Sequence, residues 1–581
     1  MSHGKCVAKP DFCTCFPVSN LRIILNMKTQ NRWNEINWKL CEQQLALQQN
    51  RLAIATTQGE TSEINRLQTK IMRMFAARAL AVRKVTSNRG KSTPGVDKET
   101  WNTAEKKFQA VERLKDLSRY EPQPVRRIWI PKPGKAEKRP LGIPTLFDRA
   151  VQALVLQAFE PVVESRADVR SFGFRRYRSV HDAAEYIRLL CASQYSKRYI
   201  LEVDIRKFFD TISHDWLLEH MPMNKTLLRK ILKAGLLDLQ KFDATELGVP
   251  QGGVLSPCLA NATLDGLEMQ VNSTGAFIVR YADDFIVASN KESGLKEAQI
   301  QIERFLDERS LSVNQEKTRI TTIEEGFDFL GFHFREYPDS SRAKFNKLGI
   351  FLVKPRPQNV VRVCKKISET VRKLSNACAA TVIMKLNPIL RGWAEHYRTA
   401  TSRTAFRKVS LHVFRVLKKW AYRKHKKAGR RTTLKRYFKT INSPRKPQNW
   451  VFSAMNERRQ PVALFQVGRT TFCKHKLIAI KLPKNPFLLE HQSYFEKRAL
   501  EYIRSSALLD KKKAQILIQQ KGACAYCNQV LQPQDVIEIH HIVGIKQGGS
   551  DALSNLMAVH QMCHRQITYA ENHRNSGGQL N

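Results

Sequence analysis

Two apolar runs that flank a pair of acids constrain the fold of this chain more than any other segment. Residues 277–288 read Phe-Ile-Val-Arg-Tyr-Ala-Asp-Asp-Phe-Ile-Val-Ala. The β-prone runs around Asp283 and Asp284 predict a hairpin with both carboxylates at its tip. Upstream, the segment 199–203 (Tyr-Ile-Leu-Glu-Val) is followed by Asp204, which predicts another strand that ends in an acid. Taken alone, the acid pair is also compatible with an ordinary solvated turn.

If these strands are neighbours, the three acids form a site for metal ions. Asp204 and Asp283 can then share two Mg²⁺ ions, with Asp284 beside them. Phosphoryl transfer uses two ions ~3.5–4 Å apart to clamp the attacking and leaving oxygens of an in-line displacement. Mg²⁺ prefers oxygen ligands, which explains carboxylates rather than His or Cys at these positions. The pattern therefore predicts a magnesium site for phosphoryl transfer.

The charge of the chain indicates an anionic partner. Its 581 residues predict several domains, and 98 Lys and Arg against 52 Asp and Glu give a net charge of +46. So much like charge opposes compaction unless an anion binds, and nucleic acid is the commonest such partner. A membrane surface is less favoured, because no apolar run approaches the ~20 residues of a spanning helix. The mostly scattered cysteines indicate a reducing, cytoplasm-like compartment rather than a disulfide framework.

Two short Cys/His knuckles predict a zinc site near the C-terminus. Cys524 and Cys527 are separated by two residues, as are His560 and Cys563. Two such pairs can complete a tetrahedral Cys₃His site. The segment between them contains His540, His541 and Asn555, and His564 follows the last cysteine. From these residues alone, a zinc finger that binds DNA without cutting it remains an alternative.

The region from about 90 to 335 resembles the reverse transcriptases encoded by group II introns. The matching segments are 130–134 (Ile-Pro-Lys-Pro-Gly), 139–144 (Arg-Pro-Leu-Gly-Ile-Pro), 171–175 (Ser-Phe-Gly-Phe-Arg), 248–257 (Gly-Val-Pro-Gln-Gly-Gly-Val-Leu-Ser-Pro), 311–318 (Leu-Ser-Val-Asn-Gln-Glu-Lys-Thr) and 329–332 (Phe-Leu-Gly-Phe). This resemblance implies that Asp204, Asp283 and Asp284 are the catalytic ligands of Mg²⁺.

The same resemblance implies contacts to the incoming deoxynucleoside triphosphate. Lys132 and Arg139 would grip the phosphates, although two solvated loop cations are the alternative. Phe209 would block a ribose 2′-hydroxyl, with ordinary core packing as its alternative. Gln251 would position the pair of template and nucleotide. Lys317 would assist near the leaving pyrophosphate, unless it is a plain surface lysine.

A basic helical region follows this core. Trp393, His396 and Tyr397 lie close together on a predicted helix, and residues 422–438 interleave cations with aromatic rings. Cations neutralise phosphates and aromatic rings can stack on unpaired bases, so nucleic acid is favoured for 422–438. For Trp393, core packing is favoured. Both segments resemble the thumb, or maturase, region of intron-encoded proteins, which implies binding of the parent intron RNA.

The Cys/His module resembles the HNH endonucleases. The resemblance implies that His541 is the general base, that His540 and His564 bind a divalent ion such as Mg²⁺, and that Asn555 holds the loop that orients His541. Neutral imidazole suits these tasks near pH 7. His560 stands where many relatives have a fourth cysteine, and histidine is also a good zinc ligand.

The predicted fold is therefore a multidomain one. It combines an α+β right-hand polymerase with fingers and palm, an α-helical thumb, and a small ββα-metal, zinc-containing HNH module. Apolar spacing predicts two helices over 33–86. The predicted segments are 1–88 (N-terminal extension and helices), 89–335 (fingers and palm), 336–440 (thumb), 441–507 (linker and DNA-binding region), 508–570 (HNH endonuclease) and 571–581 (tail).

The resemblance as a whole implies an intron-encoded protein with three activities. It would copy intron RNA by target-primed reverse transcription, assist intron splicing, and nick the DNA target. The expected partners are group II intron RNA, target DNA and deoxynucleoside triphosphates, with no membrane, in a bacterial cytoplasm or an organelle. Two alternatives remain: a splicing cofactor with vestigial enzymatic sites, and a reverse transcriptase used in antiviral defence or in diversifying host genes.

Overall fold

The structure is a computed structural model that describes most of the chain. The described residues are 32–131, 138–192, 197–238, 241–338, 349–441, 447–457, 459–506, 511–527, 529–531 and 536–576. Within them, no helix is both long and apolar enough to cross a membrane.

The N-terminal region is a group of helices that packs on the first palm helix. Its members are α1 (Trp38–Gln58), α2 (Thr61–Arg73), α3 (Phe75–Ser87) and α4 (Ala104–Arg113). The prediction of two helices over 33–86 is wrong, because three helices lie there. Met74, with φ −66° and ψ 133°, is extended and separates α2 from α3 although the apolar spacing continues across it.

A small four-stranded sheet carries the fingers hairpin. Its strands are β1 (Val125–Pro131), β2 (Lys138–Ile143), β4 (Leu236–Asp238) and β5 (Lys241–Asp243), in the order β2-β1-β4-β5. Strands β1 and β2 are antiparallel, with Ile130 opposite Arg139. Strand β4 runs parallel to β1, so the hairpin is anchored to the palm segment that precedes Gln251.

The palm is an antiparallel sheet of four strands. These are β3 (Tyr199–Val203), β6 (Phe277–Tyr281), β7 (Asp284–Ser289) and β8 (Arg319–Thr322), in the order β6-β7-β3-β8. Its helices are α5 (Leu146–Arg166), α6 (Val180–Cys191), α7 (Phe208–Thr211), α8 (His214–His220), α9 (Lys225–Leu232), α10 (Ser256–Leu264), α11 (Leu267–Asn272) and α12 (Glu292–Asp307).

The two faces of the palm sheet belong to two different cores, because successive side chains of a strand point to opposite faces. Leu201, Phe285 and Val287 pack with the N-terminal helices and α5. Ile200 and Ile286 pack instead with the helices that follow the palm. The sheet thus holds the strand ends between two apolar layers.

The helical region after the palm begins with a three-stranded sheet of β9 (Phe327–Phe329), β10 (Phe332–Tyr337) and β11 (Ile350–Pro355). Four helices follow: α13 (Pro357–Lys373), α14 (Ala379–Tyr397), α15 (Arg403–Lys424) and α16 (Arg430–Tyr437). A second three-stranded sheet comprises β12 (Phe438–Ile441), β13 (Gln448–Met455) and β14 (Pro461–Ala463).

Described parts of the segment 447–506 pack against the palm and the thumb helices. Phe452 and Ile478 are buried in the same core as the thumb helices. Asp182, fully buried on α6, accepts hydrogen bonds from the backbone N–H of Ile478 and from Arg498. The segment predicted as a linker is therefore attached to the palm by a buried carboxylate.

The C-terminal module has its own small core. Its elements are α18 (Lys511–Gln519), β15 (Ile537–His541), β16 (Leu556–His560) and α19 (Gln561–Ser576), and the preceding helix α17 (Gln492–Ser505) contributes Ile503 to the same core. Strands β15 and β16 form an antiparallel hairpin, with His540 opposite Met557. Ile516, Leu517, Ala558 and the three knuckle cysteines are buried together.

Candidate polymerase and nuclease sites

The three palm acids lie at adjoining strand ends. Strands β6 and β7 form a tight hairpin in which Tyr281 pairs with Asp284, and Ala282 has φ +59° at the turn. Asp204 directly follows β3, whose last residue, Val203, pairs with Phe285 of β7. The register therefore brings Asp204 beside the hairpin tip that carries Asp283 and Asp284.

Burial and neighbouring negative charge raise the pKa of Asp283 and Asp284. Loss of solvation, followed by the charges of Asp283 and Asp204, raises the pKa of Asp284 to about 6. Loss of solvation also raises the pKa of Asp283; the charge of Arg139 opposes this shift and that of Asp204 adds to it. Three like charges at one place favour a cation, since a nearby opposite charge stabilises the ionised form. The all-oxygen donor set fits Mg²⁺.

Two of the predicted cationic contacts reach the same site. Lys317 Nζ lies 2.8 Å from Asp204 Oδ2. Arg139 Nε donates to Gln251 Oε1 at 2.8 Å, and Arg139 lies close enough to Asp283 for its charge to oppose the rise in the pKa of that acid. Lys132 lies outside the described residues. Arg139, Gln251 and Lys317 are thus grouped around the carboxylates.

Phe209 belongs both to the core and to a cavity wall. Its side chain is 9% exposed, and its ring centroid lies 5.3 Å from that of Phe208. It also lines a cavity of about 180 Å³ together with Gln251 and Gly248. Gly248 has φ +81°, and a Cβ there would lie 2.7 Å from the carbonyl oxygen of Phe209. The glycine lets the turn before Gln251 sit directly on Phe209.

Sequence reasoning missed the residues that support the catalytic turn. A Cβ on Gly173 would lie 2.3 Å from the backbone nitrogen of Ala282, so this glycine packs on the turn itself. Arg280, 1% exposed, forms an ion pair with Asp265 and lies 3.5 Å from Asp168. An arginine within an otherwise apolar strand was the signal that could have revealed this buried network.

The aromatic residues of α14 pack internally. The ring of His396 stacks on Phe332 at 5.3 Å, and burial followed by the charge of His181 lowers its pKa to about 4. Trp393 lies 5.0 Å from Tyr397 and 5.6 Å from Phe406, between ring centroids, as the core interpretation predicts. The cations of 422–438 differ, because Arg423, Lys424, Lys426, Lys427, Arg430, Arg431, Lys435 and Arg436 are exposed.

The predicted zinc ligands converge. One ligand atom each from Cys524, Cys527, His560 and Cys563 lies within 4.8 Å of every other. Cys527 Sγ is 3.4 Å and Cys563 Sγ is 3.9 Å from His560 Nδ1. Such spacings suit a tetrahedral zinc ion, which binds sulfur at about 2.3 Å and nitrogen at about 2.0 Å. Across the described ranges, this is the single group of three or more such side chains that converges so closely.

Each predicted nuclease histidine is paired with an acid. His540 Nε2 lies 3.0 Å from Glu571 Oε1, and His564 Nδ1 lies 2.7 Å from Glu538 Oε2. The rings of His540 and His564 lie 5.1 Å apart, edge to face. Hydrogen bonds of this kind fix the orientation of a metal-binding imidazole. The acid contacts use Nε2 of His540 and Nδ1 of His564, so Nδ1 of His540 and Nε2 of His564 are the nitrogens that could bind a divalent ion.

Asn555 holds the loop next to His541. Its Oδ1 accepts from the backbone N–H of Val543 at 2.8 Å, and its Nδ2 donates to the carbonyls of Val543 and Ser550. Asp551, which follows Ser550, lies in the same loop, and its Oδ1 is 2.9 Å from His541 Nε2. The partners Glu538, Asp551 and Glu571 were not predicted, although strand alternation puts Glu538 on the same face as His540.

Comparison with known families covers most of these regions. Residues 33–114 match the N-terminal domain of reverse transcriptase, and 130–334 match the reverse transcriptase (RNA-dependent DNA polymerase) family. Residues 360–438 match the group II intron maturase-specific domain, and 524–569 match the HNH endonuclease family.

Three relatives illustrate the likeness. Protein YkfC of Escherichia coli is 33% identical over 300 residues, which cover 44% of this chain and 78% of YkfC. The group II intron-encoded protein LtrA of Lactococcus lactis is 38% identical over 198 residues, or 32% of each chain. Maturase-like protein 1 of Euglena gracilis is 27% identical over 377 residues, which cover 63% of this chain and 78% of that protein.

The motif resemblance is therefore confirmed along the polymerase, maturase and nuclease regions. The chain belongs to the group II intron-encoded reverse transcriptase and maturase proteins, and it carries an HNH endonuclease domain.

Proposed function

We propose that this protein copies its parent intron RNA into DNA by target-primed reverse transcription at a nick made by its own HNH domain, and that it assists splicing of the same RNA. The observation that carries the proposal is the position of Asp204 beside the hairpin tip of Asp283 and Asp284, with Lys317 on Asp204 and Arg139 near Asp283. An RNA-dependent polymerase and a nuclease on one chain fit a cycle in which the nick supplies the primer.

In the proposed polymerase site, Asp204, Asp283 and Asp284 would hold two Mg²⁺ ions. The ions would supply activation of the primer 3′-hydroxyl and charge neutralisation on the triphosphate. Arg139 and Lys132 bind the phosphates as fixed cations near developing charge. Lys317, which neutralises Asp204 in the structure, is then available to the leaving pyrophosphate.

Selection of the substrate rests on Phe209 and Gln251. The Phe209 ring closes the pocket against a ribose 2′-hydroxyl, so deoxynucleotides are preferred. Gln251 is held by Arg139, and this contact couples the position of the template pair to the grip on the phosphates. Core packing of Phe209 supports this role, because a sterically selective wall has to be rigid.

In the proposed nuclease site, His541 takes a proton from the attacking water, and Asn555 fixes the loop beside it. His540 and His564 would hold the divalent ion at the scissile phosphate, while Cys524, Cys527, His560 and Cys563 would bind structural zinc. The substrate is the DNA target strand that the intron does not invade.

Group II intron RNA is the proposed ligand of the basic thumb. The exposed cations of 422–438 support phosphate contacts, which give salt-dependent affinity. We retain the six predicted segments as the proposed domain boundaries, and a bacterial cytoplasm or an organelle as the place where the intron meets its target.

A paired assay tests both enzymatic roles. Primer extension uses a DNA primer on an RNA template with deoxynucleotides and Mg²⁺, and nicking is followed on a supercoiled plasmid. Asp283→Asn is expected to lose about 10³-fold in extension and to keep nicking, because metal ions supply several kcal/mol to the transition state. His541→Ala is expected to do the opposite.

Asp215→Asn, which removes an exposed acid of α8, is the matched control and is expected to keep both activities. Equal incorporation by wild type and Asp283→Asn would contradict the assignment of the polymerase site. Equal nicking by wild type and His541→Ala would contradict that of the nuclease site.

A further inference from the structure

The region from His396 to Asn456 has an unusual charge pattern. These 61 residues contain 18 Lys and Arg and no Asp or Glu. Helices α15 and α16 and strands β12 and β13 lie within it. Without acids to offset the cations, this part of the surface carries a strong positive potential that favours a polyanion. A docked protein partner is a poorer fit, because the cores of protein interfaces are depleted in charge.

Trp450 stands out within this surface. Its side chain is 57% exposed, and its backbone has φ +58°. A left-handed conformation is a genuine outlier for a bulky side chain, and such residues concentrate at ligand contacts. The irregular pairing of β12 with β13 falls at this point, since the register shifts between Lys439 and Ile441.

The indole of Trp450 is supported from one side. Its centroid lies 6.4 Å from that of Phe414, edge-on at 82°, and 6.2 Å from that of Phe438. These rings anchor Trp450 at the margin of the second core, while more than half of its surface stays open. An aromatic side chain held in this way is preorganised for a contact and has little entropy left to lose.

Cations lie on the face of α15 that carries Phe414, the neighbour of Trp450. Arg407, Leu411 and Lys418 share the face of Phe414 at helical spacing. Leu411 is 48% exposed, and Lys418 Nζ lies 5.8 Å from the ring of Tyr422. The face therefore alternates positive charge with apolar surface on both sides of Phe414, the α15 residue whose ring packs against Trp450.

We propose that Trp450 is a stacking platform for an unpaired base of bound RNA, with Arg407 and Lys418 on the adjacent phosphates. Single-stranded loops of RNA present such bases, whereas a duplex keeps its bases stacked inside. Trp450 itself lies in the segment 441–507 proposed as linker and DNA-binding region, but its ring packs on Phe438, the last residue of the maturase-specific match, which favours RNA over DNA at this position. The inference rests on the proposed maturase function.

The test uses the full chain and three nucleic acids of equal length. These are an RNA hairpin with an adenosine loop that contains one 2-aminopurine, a fully paired RNA duplex, and a DNA hairpin of the same sequence as the RNA hairpin. Trp450→Ala is expected to weaken binding of the RNA hairpin about 5- to 150-fold, the range for loss of one base–aromatic stack. Binding of the duplex should not change.

Matched variants separate stacking from folding and charge. Trp450→Phe retains a ring and should retain most of the affinity and the quenching of 2-aminopurine fluorescence. Met269→Ala, which removes an apolar side chain 70% exposed on α11, should change nothing. Lys418→Ala should weaken hairpin and duplex alike and lower the salt slope by about one. Primer extension by Trp450→Ala reports whether that variant folds.

Several results would overturn the proposal: equal binding of the RNA hairpin by wild type and Trp450→Ala, an equal loss on the duplex, or unquenched 2-aminopurine in the wild-type complex. An equal dependence of the DNA hairpin on Trp450 would overturn the choice of RNA. If the protein bound no RNA hairpin at all, the maturase function itself would fail. If the protein bound the RNA hairpin but the affinity did not depend on Trp450, the role of Trp450 would be refuted and the maturase function would stand.

Discussion

The palm site and the C-terminal module hold their functional side chains in opposite ways. In the palm, Asp284 and Asp283 meet Asp204, and loss of solvation together with mutual repulsion raises the pKa of both hairpin acids. In the module, His540, His541 and His564 each lie within 3.0 Å of a carboxylate of the same module. In the palm, the repulsion between the carboxylates is relieved only when a cation binds. In the module, each functional histidine is already paired with a carboxylate of the protein.

The difference extends to the frame around each site. Two large cores on either side of the palm sheet hold the carboxylates, so the site keeps its shape without help from a metal. The module buries a much smaller set of apolar residues, and the three knuckle cysteines are part of that set. A core of this size rarely supports a domain alone, and a structural metal is the usual supplement. Metal should therefore govern chemistry in the palm and folding in the module.

The largest effect expected from this comparison is the loss of zinc. Cys527→Ser should release the zinc, unfold the module and reduce nicking more than 100-fold, because structural zinc contributes about 10–16 kcal/mol to small zinc-dependent folds. Primer extension should remain close to wild type. Elemental analysis of zinc per chain, run beside both activity assays, gives the measurement.

Cys378→Ser is the control, since this cysteine is exposed and lies far from the knuckles in sequence. A Cys527→Ser protein that retained one zinc per chain and full nicking would show that the module does not depend on this ligand. A parallel loss of primer extension would show that the two sites are not independent.

The comparison also separates what the sequence can predict from what it cannot. The hairpin of Asp283 and the knuckle of Cys524 are local patterns, since strand alternation and a two-residue ligand spacing are decided by neighbours in the chain. The break at Met74 is local too, yet it was missed, because the apolar spacing of α2 runs on into α3.

Contacts between distant segments were beyond the sequence patterns. Gly173 packs on Ala282 across more than 100 residues, and only the folded backbone shows that no Cβ fits between them. Likewise, Asp182 joins α6 to Arg498, which the sequence assigns to a linker. Asp551 lies two residues after Gly549 in a loop, and no pattern in the sequence indicates that its carboxylate contacts His541.

A smaller effect is expected when the acid partner of the proposed general base is removed. Asp551→Asn deletes the charge that faces His541 Nε2 at 2.9 Å and should reduce nicking about 10- to 100-fold, the usual range for a residue that orients a functional histidine. Zinc content should not change. Nicking rates at several pH values measure the effect.

Lys512→Ala is the matched control, because Lys512 Nζ lies 3.6 Å from Asp551 Oδ2, whereas His541 contacts Oδ1. It should leave the rate near that of wild type. If Asp551→Asn nicked at the wild-type rate while Lys512→Ala did not, the proposed role of Asp551 in orienting His541 would be contradicted.

The smallest expected effect is on stability, and it tests whether the palm carboxylates repel one another in the absence of a metal ion. With its pKa raised to about 6, Asp284 binds its proton more tightly in the folded state than in an unfolded chain, where an aspartate titrates near 3.9. The free energy of unfolding should therefore fall as the pH rises from about 4 to about 6, and stay lower above that range. Asp284→Asn removes the titrating charge, so without Mg²⁺ at pH 7.5 it should unfold a few degrees above wild type and differ less at pH 4.

Added Mg²⁺ should raise the unfolding temperature of wild type but not of Asp284→Asn, because only the full carboxylate set gains from the cation. Thermal unfolding is followed in Mg²⁺-free buffer without a chelator, so that zinc stays in the module. Asp215→Asn should follow wild type throughout. If Asp284→Asn were no more stable than wild type at pH 7.5, the palm carboxylates would be balanced by the charges of Arg139 and Lys317 before any metal binds. The palm would then resemble the nuclease module, in which protein partners satisfy each functional group.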